Sequence, residues 1–496
     1  MENKPGNPIY LLKKYLLEIT IFTAVFWLYA GISHMPNVNE ISRIALTISM
    51  VDRGTLDIDQ FQKATIDKSF RNGHYYSDKA PGLSFLSVPV YGTYKFCRDD
   101  IKGLDKKSNI SPFMKFVYAL WFTRAFTVSL VSAIFAVLFI KYLLHKGVDT
   151  NFALVLGLGY SLGTIASPYS TVFYGHQPAA VFLFTGFILA EGKFFHSGWT
   201  KGPFKYFICG LLGGMAFVTE FPTLLISGVI YVYMVANEWE NALPLKKQLI
   251  RQIRKLIIFS AGFAIPLLLL FGYNSICFGN PLSLGYSNLA SEEFRQGMSR
   301  GLFGIEIPSL ESFWGSTFGL RRGLFVLSPF IMLFLPSLLL EMKRLSETGK
   351  TDLSYLSSLM IVIIYFIFSS SYHFWHGGDA IGPRHFIPAL PFLVFLMLNL
   401  KGRKWLIITS VLVIISVFFM TAVSITDPQV SSYGKSRFPL FDESISMFLQ
   451  AKTSITPFLL YGIGRYLSLV LFVVPPYLIL ISLFFWKRPN RLRTDM

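Results

Sequence analysis

The sequence predicts an all-α polytopic membrane protein with about twelve transmembrane helices. Three observations predict it. Of 496 residues, 53% are hydrophobic and only 15% charged, whereas soluble domains carry about 25% charged residues. Aromatic residues (49 Phe, 24 Tyr and 8 Trp) make up 16% of the chain, and the mean hydropathy is +0.50. The apolar residues also come in unbroken runs of about twenty, the length that crosses a bilayer as helix, without the alternation a porin-type barrel needs. A soluble enzyme, a disordered chain and a secreted disulfide scaffold are excluded. Cys97, Cys209 and Cys277 are odd in number, widely spaced and free of any CxxC pattern, which points to neither a disulfide framework nor a metal site.

The spans fall near 17–36, 114–142, 151–172, 177–192, 205–219, 221–237, 256–276, 323–342, 353–370, 386–400, 404–424 and 463–486. The fifth and sixth are one apolar stretch divided at Glu220-Phe-Pro222, because Pro disfavours helix at the residue before it. The first span follows Lys13 and Lys14 and is long enough to cross, so no cleavable signal peptide is read. Alternate loops carry the basic residues: Lys4, Lys13 and Lys14, then Lys141 and Lys146, Lys193, Lys201 and Lys205, Lys246 to Lys255, Lys343 to Lys350, Lys401 to Lys404, and Lys487 to Arg493. Positive charge in short loops marks the cytoplasmic side. The net charge of +17 is therefore assigned to membrane orientation and not to nucleic acid, with both termini cytoplasmic. Residues 1–496 form a single transmembrane domain whose outer side holds a long first loop at 37–113, a loop around 277–322, a short polar loop at 371–385 and another at 425–462.

The first outer loop is rich in chemistry. Asn39 is a helix cap and Gly54 a helix end, and between them Glu40 and Arg43 stand at i, i+3 on an amphipathic segment expected to rest at the interface. Asp57-Ile-Asp59 reads as a solvated turn more readily than as a metal pair. Asn72-Gly-His-Tyr-Tyr76-Ser-Asp78-Lys79-Ala-Pro81 is a dense polar patch before Leu83–Tyr94. With about twelve residues and Pro89 inside, that segment is too short to span and should lie at the interface, delivering Lys79 to headgroup level.

Further on, Arg124 stands in the second span, where a charge costs about 2.5–3.5 kcal/mol and needs a partner or an anion. His176 sits in a turn with Tyr174 and Gln177, and Glu220 in the gap between two apolar segments. In Tyr372-His-Phe-Trp375-His376-Gly-Gly-Asp379-Ala-Ile-Gly-Pro-Arg384-His385, the glycines and proline predict a shaped loop, not a helix. Arg384 offers phosphate a planar fork of donors, His385 stands beside it, and Trp375 could stack on a sugar ring. Arg321-Arg322 reads as an ordinary interfacial pair.

A first span, then Glu40-x-x-Arg43 on a surface helix, then Asp78-Lys79-Ala80-Pro81 before a second surface helix, resembles the GT-C superfamily of membrane glycosyltransferases. Within it the pattern is similar to the polyprenyl-phosphate-sugar users, including aminoarabinose transferase and the protein mannosyltransferases. Glu40 stands where Asp is commoner, and Ala80 replaces the first Pro of the family's acidic-Lys-Pro-Pro segment. The resemblance implies a GT-C-like bundle with interfacial helices in the first outer loop and an inverting glycosyltransferase. It would move a hexosyl or pentosyl group from a polyprenyl-phosphate-linked donor to a lipid, glycan or protein acceptor. Glu40 and Asp78 would then be the catalytic carboxylates, and Arg43, Tyr76, Lys79, Arg124, His176, Trp375, Arg384 and His385 the substrate- and phosphate-binding residues. No loop is long enough for a nucleotide-sugar domain, which favours a lipid-linked donor. Fixed cations can replace a divalent metal, which is not required, although Asp57 and Asp59 keep one open. The implied location is a bacterial cytoplasmic membrane, with the site facing the periplasm. A polyprenyl-linked glycan flippase and a surface-glycan ligase or polymerase are the competing classes. The absence of internal repeats counts against the first, and the polar first loop, which would lack a role, against the second.

Overall fold

The computed structural model describes residues 8–100, 111–195, 202–240, 242–430, 434, 436–460 and 462–485. The expected cytoplasmic charges Lys4, Lys201, Lys487, Arg488, Arg491 and Arg493 lie outside these residues, as do both chain ends.

The described residues form a helical bundle with one small hairpin. Helix α1 (Pro8–Ala30) leads to α2 (Val38–Asp52), the strands β1 (Lys68–Arg71) and β2 (His74–Ser77), and α3 (Gly82–Asp100). Then come α4 (Pro112–Arg124), continued through a π turn into α5 (Leu130–His145), α6 (Thr150–Gly163), the short α7 (Ala166–Tyr169), α8 (His176–Glu191), α9 (Phe204–Thr219) and α10 (Leu224–Asn237). The second half holds α11 (Leu245–Phe278), the short α12 (Glu292–Met298), α13 (Leu310–Thr317) and α14 (Leu324–Leu327), then α15 (Phe334–Thr348), α16 (Leu353–Ser371), α17 (Leu390–Phe395), α18 (Arg403–Ile425), the short α19 (Ser446–Leu449) and α20 (Pro457–Leu460), and α21 (Arg465–Phe485).

Five helices among the described residues are long and apolar enough to cross a membrane: Pro112–His145, Leu245–Phe278, Leu353–Ser371, Arg403–Ile425 and Arg465–Phe485. Four shorter apolar helices accompany them, at Tyr15–Ala30, Phe204–Thr219, Phe221–Asn237 and Arg384–Asn399. This is a multi-pass helical membrane protein. Two expected spans are broken. The run 151–172 stops at extended Thr164, whose hydroxyl accepts from Ala166 N (3.1 Å) and so starts a new turn. The run 323–342 breaks at Ser328, held out of helical geometry by Pro329. The 205–237 stretch divides at Glu220, whose backbone is extended (φ −149°) ahead of Pro222. The segment after Lys79 is longer than expected, since α3 continues past Tyr94 to Asp100 despite Pro89.

The centre is α8, buried along nearly its whole length. Phe184 alone meets the rings of Phe135, Phe139, Tyr142, Phe187 and Phe392 within 5.8 Å. Helices α9 and α11 pack more closely than side chains allow. A Cβ at Gly210 would stand 1.9 Å from the Phe259 carbonyl oxygen, and one at Gly262 would stand 2.0 Å from that of Phe207. Small residues permit this approach, as in other membrane helix pairs.

One end of the bundle is tied by ion pairs. Lys146 joins Glu191 (3.0 Å) and Asp352 (2.7 Å), and Glu238 gathers Lys205 and Lys255 (2.8 Å to the latter). The opposite end, where α1, α9, α11 and α16 finish and α8 begins, carries α2, the hairpin and the glycine-rich loop. The hairpin turns on Asn72 (φ 49°) and Gly73 (φ 87°), both in the left-handed region that a two-residue turn requires.

Candidate active site

The hairpin end of the bundle encloses a cavity of about 860 Å³. Seven of the ten residues singled out in the sequence line it: Arg43, Asp78, Lys79, His176, Trp375, Arg384 and His385. They come from separate parts of the chain, and each is held in place by a nameable contact.

Helix α2 supplies the first. Its cap is Asn37, not Asn39. Asn37 Oδ1 accepts from the backbone of Asn39 (2.9 Å) and Glu40 (3.0 Å), while Glu40 Oε2 reaches back to Asn37 Nδ2 (2.7 Å) and Asn37 N (3.4 Å). This is a capping box. The other oxygen, Oε1, accepts from Phe173 N at 2.6 Å. Both carboxylate oxygens of Glu40 are thus occupied, and the residue, 2% exposed, does not line the cavity. Burial pushes its carboxyl up to about 7, against the pull of the Phe173 amide and the Arg124 charge.

Arg43, expected to share a face and a charge pair with Glu40, pairs elsewhere. Its Nη2 donates to Glu220 Oε1 (2.9 Å), Nη1 to the Ala80 carbonyl (3.2 Å) and Nε to Asn39 Oδ1 (3.1 Å). The second Glu220 oxygen lies 3.3 Å from His176 Nδ1. The break at Glu220-Phe-Pro222 is therefore what brings a carboxylate from the α9–α10 junction to the α2 arginine and the α8 histidine.

The hairpin supplies the second group. Lys79 Nζ lies 3.0 Å from Asp67 Oδ2 and 3.3 Å from Asp78 Oδ1. Burial raises the Asp78 carboxyl to about 6, with Lys79 opposing and Asp67 adding to the rise. Lys79 is held above its ordinary value because the two carboxylates outweigh its burial. Tyr76, on β2, is not on the cavity wall; its ring meets Phe278 at 5.6 Å.

The glycine-rich loop supplies the third. Residues 372–383 form no helix, and Gly377, Gly378 and Gly382 all take positive φ. Arg322, read as half of an interfacial pair, is instead 3% exposed and pins this loop from beneath, donating to the carbonyls of His376, Gly378 (2.8 Å) and Ala380 (2.8 Å). Arg384 lies over the Tyr174 ring (5.3 Å to the centroid), and its Nε has no hydrogen-bond partner. His385 stands edge-on to His176 (5.4 Å) and to Tyr372 (5.1 Å).

Arg124 needs a partner or an anion, and of these the structure shows a protein partner. It is 2% exposed, away from the cavity, and donates to the carbonyls of Tyr29 (2.9 Å), Ala30 (3.4 Å) and Ile32. It closes the C-terminus of α1, where unpaired carbonyls carry partial negative charge. Asp57 pairs with Arg53 (2.6 Å), and Asp59 holds His74 (2.7 Å) and the Tyr75 amide (2.7 Å). Among the described residues, no group of three or more His, Cys, Asp or Glu is placed to hold a metal.

Asp67 and Tyr286 are among the cavity residues that escaped the sequence reading. Asp67 had a weak signal, standing just before a strand whose Asn-Gly turn folds it back beside Asp78. Tyr286 had none.

The cavity thus concentrates cations and carboxylates behind an aromatic rim. It can neutralise a phosphate with Lys79 and Arg384, offer a poorly solvated carboxylate to a hydroxyl, and flank a ring with Tyr372 and Trp375. No protein-family model matches the sequence, and no curated protein matches it. Among solved structures, the crystal structure of ArnT from Cupriavidus metallidurans in the apo state is similar at a TM-score of 0.46 with 14% identity, covering 95% of this chain and 75% of that one.

Proposed function

We propose that the protein is an inverting glycosyltransferase that moves a sugar from a polyprenyl-phosphate-linked donor to a lipid, glycan or protein acceptor at the outer face of a bacterial cytoplasmic membrane. One observation carries this reading. A lysine and an arginine able to meet a phosphate and a poorly solvated carboxylate face one cavity, at the end of the bundle away from its basic loops. In this arrangement twelve segments cross the bilayer, both termini are cytoplasmic, and α2 and α3 lie at the outer interface, leaving the cavity open to lipid for the prenyl chain.

Transfer needs a proton acceptor, a cationic seat for the leaving phosphate and a means of aligning the two. Asp78 is the better proton acceptor, since Glu40 has both oxygens committed to backbone and cap. Lys79 and Arg384 seat the phosphate. Arg43, fixed by Glu220, keeps positive charge beside Asp78 and favours its ionised form. Attack by the acceptor oxygen on the anomeric carbon, opposite the departing phosphate, inverts that centre. Fixed cations take the charge that a metal would otherwise neutralise.

The test is turnover of a polyprenyl-phosphate monosaccharide by the purified protein, with Lys79→Ala alongside. Lys79-dependent release of polyprenyl phosphate supports the transferase. Binding without release, whatever acceptor is offered, favours a flippase, and no binding overturns the reading.

A further inference from the structure

The sequence reads 277–322 as an outer loop, yet its stretch from Leu302 to Trp314 turns apolar side chains outward. Ile307 and Leu310, 88% and 85% exposed, are the two most exposed large apolar side chains among the described residues. Leu302, Ile305, Phe313 and Trp314 stand exposed around them. An apolar patch of this kind marks contact with lipid or with another protein. Nor is the stretch free to fold these groups inward. Its turn is fixed by reciprocal backbone bonds between Leu302 and Ile305 (3.1 Å each) and by Gly304 N, which donates to the Arg300 carbonyl (2.8 Å). Gly301 makes the turn with positive φ, and a Cβ there would stand 2.0 Å from the Ile305 carbonyl oxygen.

The turn is bonded in addition to the outer end of α16. Glu306 N donates to the Ser371 carbonyl (2.8 Å), Ser309 N to that of Ser370 (2.9 Å), and His373 N to that of Gly304 (2.7 Å). Those bonds set its depth. Helix α16 has 19 residues, about 28 Å at a rise of 1.5 Å per residue, which matches the roughly 30 Å hydrocarbon core of a bilayer. Ser370 and Ser371 thus lie at the hydrocarbon boundary, and so does the stretch bonded to them. Leu356, Met360, Ile363 and Ile367 form one exposed stripe along α16, the face that a spanning helix gives to lipid. Phe313 meets Phe366 at 6.4 Å between ring centres, which sets α13 beside that stripe. The apolar surface of the span and that of the turn are therefore neighbours.

The charged residues agree with this depth. Arg300, Glu306 and Glu311 are exposed among the apolar groups, which suits the headgroup boundary and not the hydrocarbon centre. Trp314 belongs to the same level, where amphipathic rings gather. The inner side of the stretch is cavity wall. Met298, Gly315 and Leu320 line the cavity; Met298 Sδ accepts from the Tyr372 hydroxyl (3.7 Å), and Gly315 seats the Trp375 indole, 2.2 Å from where a Cβ would stand. We infer that residues 302–314 form an interfacial element bedded in the outer leaflet, with Ile307 and Leu310 among the acyl chains, and that this is the side on which the cavity adjoins the bilayer. The inference goes beyond the transferase reading and needs only that α16 crosses the membrane, whatever the cavity binds.

Spin labels test it in the full chain reconstituted into phospholipid vesicles, with exposed Cys97 replaced by Ser and buried Cys209 and Cys277 retained. Labels go on Ile307→Cys and Leu310→Cys, where such exposure leaves no packing to disturb. Ile367→Cys on the α16 stripe is the lipid reference, and Glu347→Cys, exposed at the end of α15, is the water reference. Collision of each label is measured with oxygen, which concentrates in lipid, and with a water-soluble nickel chelate. Labels at Ile307 and Leu310 should match Ile367 in oxygen collision and fall several-fold below Glu347 in nickel collision. Nickel collision equal to that at Glu347 makes the stretch an aqueous loop and overturns the inference. Low collision with both reagents overturns it in favour of a face covered by protein, and spin–spin broadening that fades on dilution with unlabelled chain would assign the cover to a second copy. Nickel collision at Ile367 as high as at Glu347 would remove α16 from the bilayer and the inference with it.

Discussion

Glu40→Gln separates two roles that the same residue could hold. As a catalytic base Glu40 must ionise, and its amide would end turnover. As the reciprocal partner in a capping box it needs an acceptor oxygen toward Asn37, which Gln presents, with its amide then set against the Phe173 N–H. The structure favours the second role, with one oxygen on Phe173 N at 2.6 Å and the other on Asn37. Burial lifts the Glu40 carboxyl from 4.5 to about 7. The folded protein therefore binds this proton more tightly than the unfolded chain between those values. Stability from the neutral form is whole below 4.5 and is lost as pH rises through the folded value, reaching about 3 kcal/mol in the ionised state. Gln escapes that loss but leaves one of the two buried N–H groups without an acceptor at every pH. The expected outcome is a variant with wild-type-like turnover whose melting temperature lies below the wild type in acid and gains on it as pH rises through neutral. Thermal unfolding of both proteins across this range, with turnover measured beside it, checks the claim. A folded Glu40→Gln protein without turnover would return the base to Glu40. Parallel melting curves at every pH would show that its carboxyl is not strained by burial.

Other perturbations test the frame around the cavity. Glu220→Ala should cost about 3–5 kcal/mol by leaving Arg43 buried and unpaired, and the double change Arg43→Met with Glu220→Leu should recover most of it in a melting experiment. Gly210→Leu should lower the melting temperature strongly, because its Cβ would collide with the Phe259 carbonyl oxygen at 1.9 Å. Gly228→Ala, at a position with no atom within 4 Å, should not. Arg124→Gln should destabilise the fold by uncapping α1 while leaving the affinity of the remaining folded protein for a phosphodiester unchanged, as a binding titration would reveal.

Much of the membrane architecture is legible in the sequence, because a bilayer imposes its thickness on apolar runs and leaves few alternatives to helix. Local chemistry is legible too. Gly377, Gly378, Gly382 and Pro383 announce a shaped loop, Pro222 announces the break at Glu220, and Gly54 ends α2 with positive φ. Asn72-Gly73, by contrast, reads from the sequence only as part of a polar patch, and the structure makes it the turn of the hairpin. What the sequence could not settle is which polar groups meet. Arg43 has an acid three residues away, yet pairs with Glu220 from 177 residues away. Glu40 is taken by Asn37 and by an amide beyond α6, and Arg322 by carbonyls of a loop more than fifty residues distant. In a poorly solvated interior an unpaired charge or amide is costly, so each buried group takes the partner that the packed bundle brings within hydrogen-bond reach, whatever its distance along the chain. Helix and loop follow from local and bilayer constraints that each segment feels alone; the cavity exists only once α2, the hairpin, the α9–α10 break and the glycine loop converge at one end of the bundle.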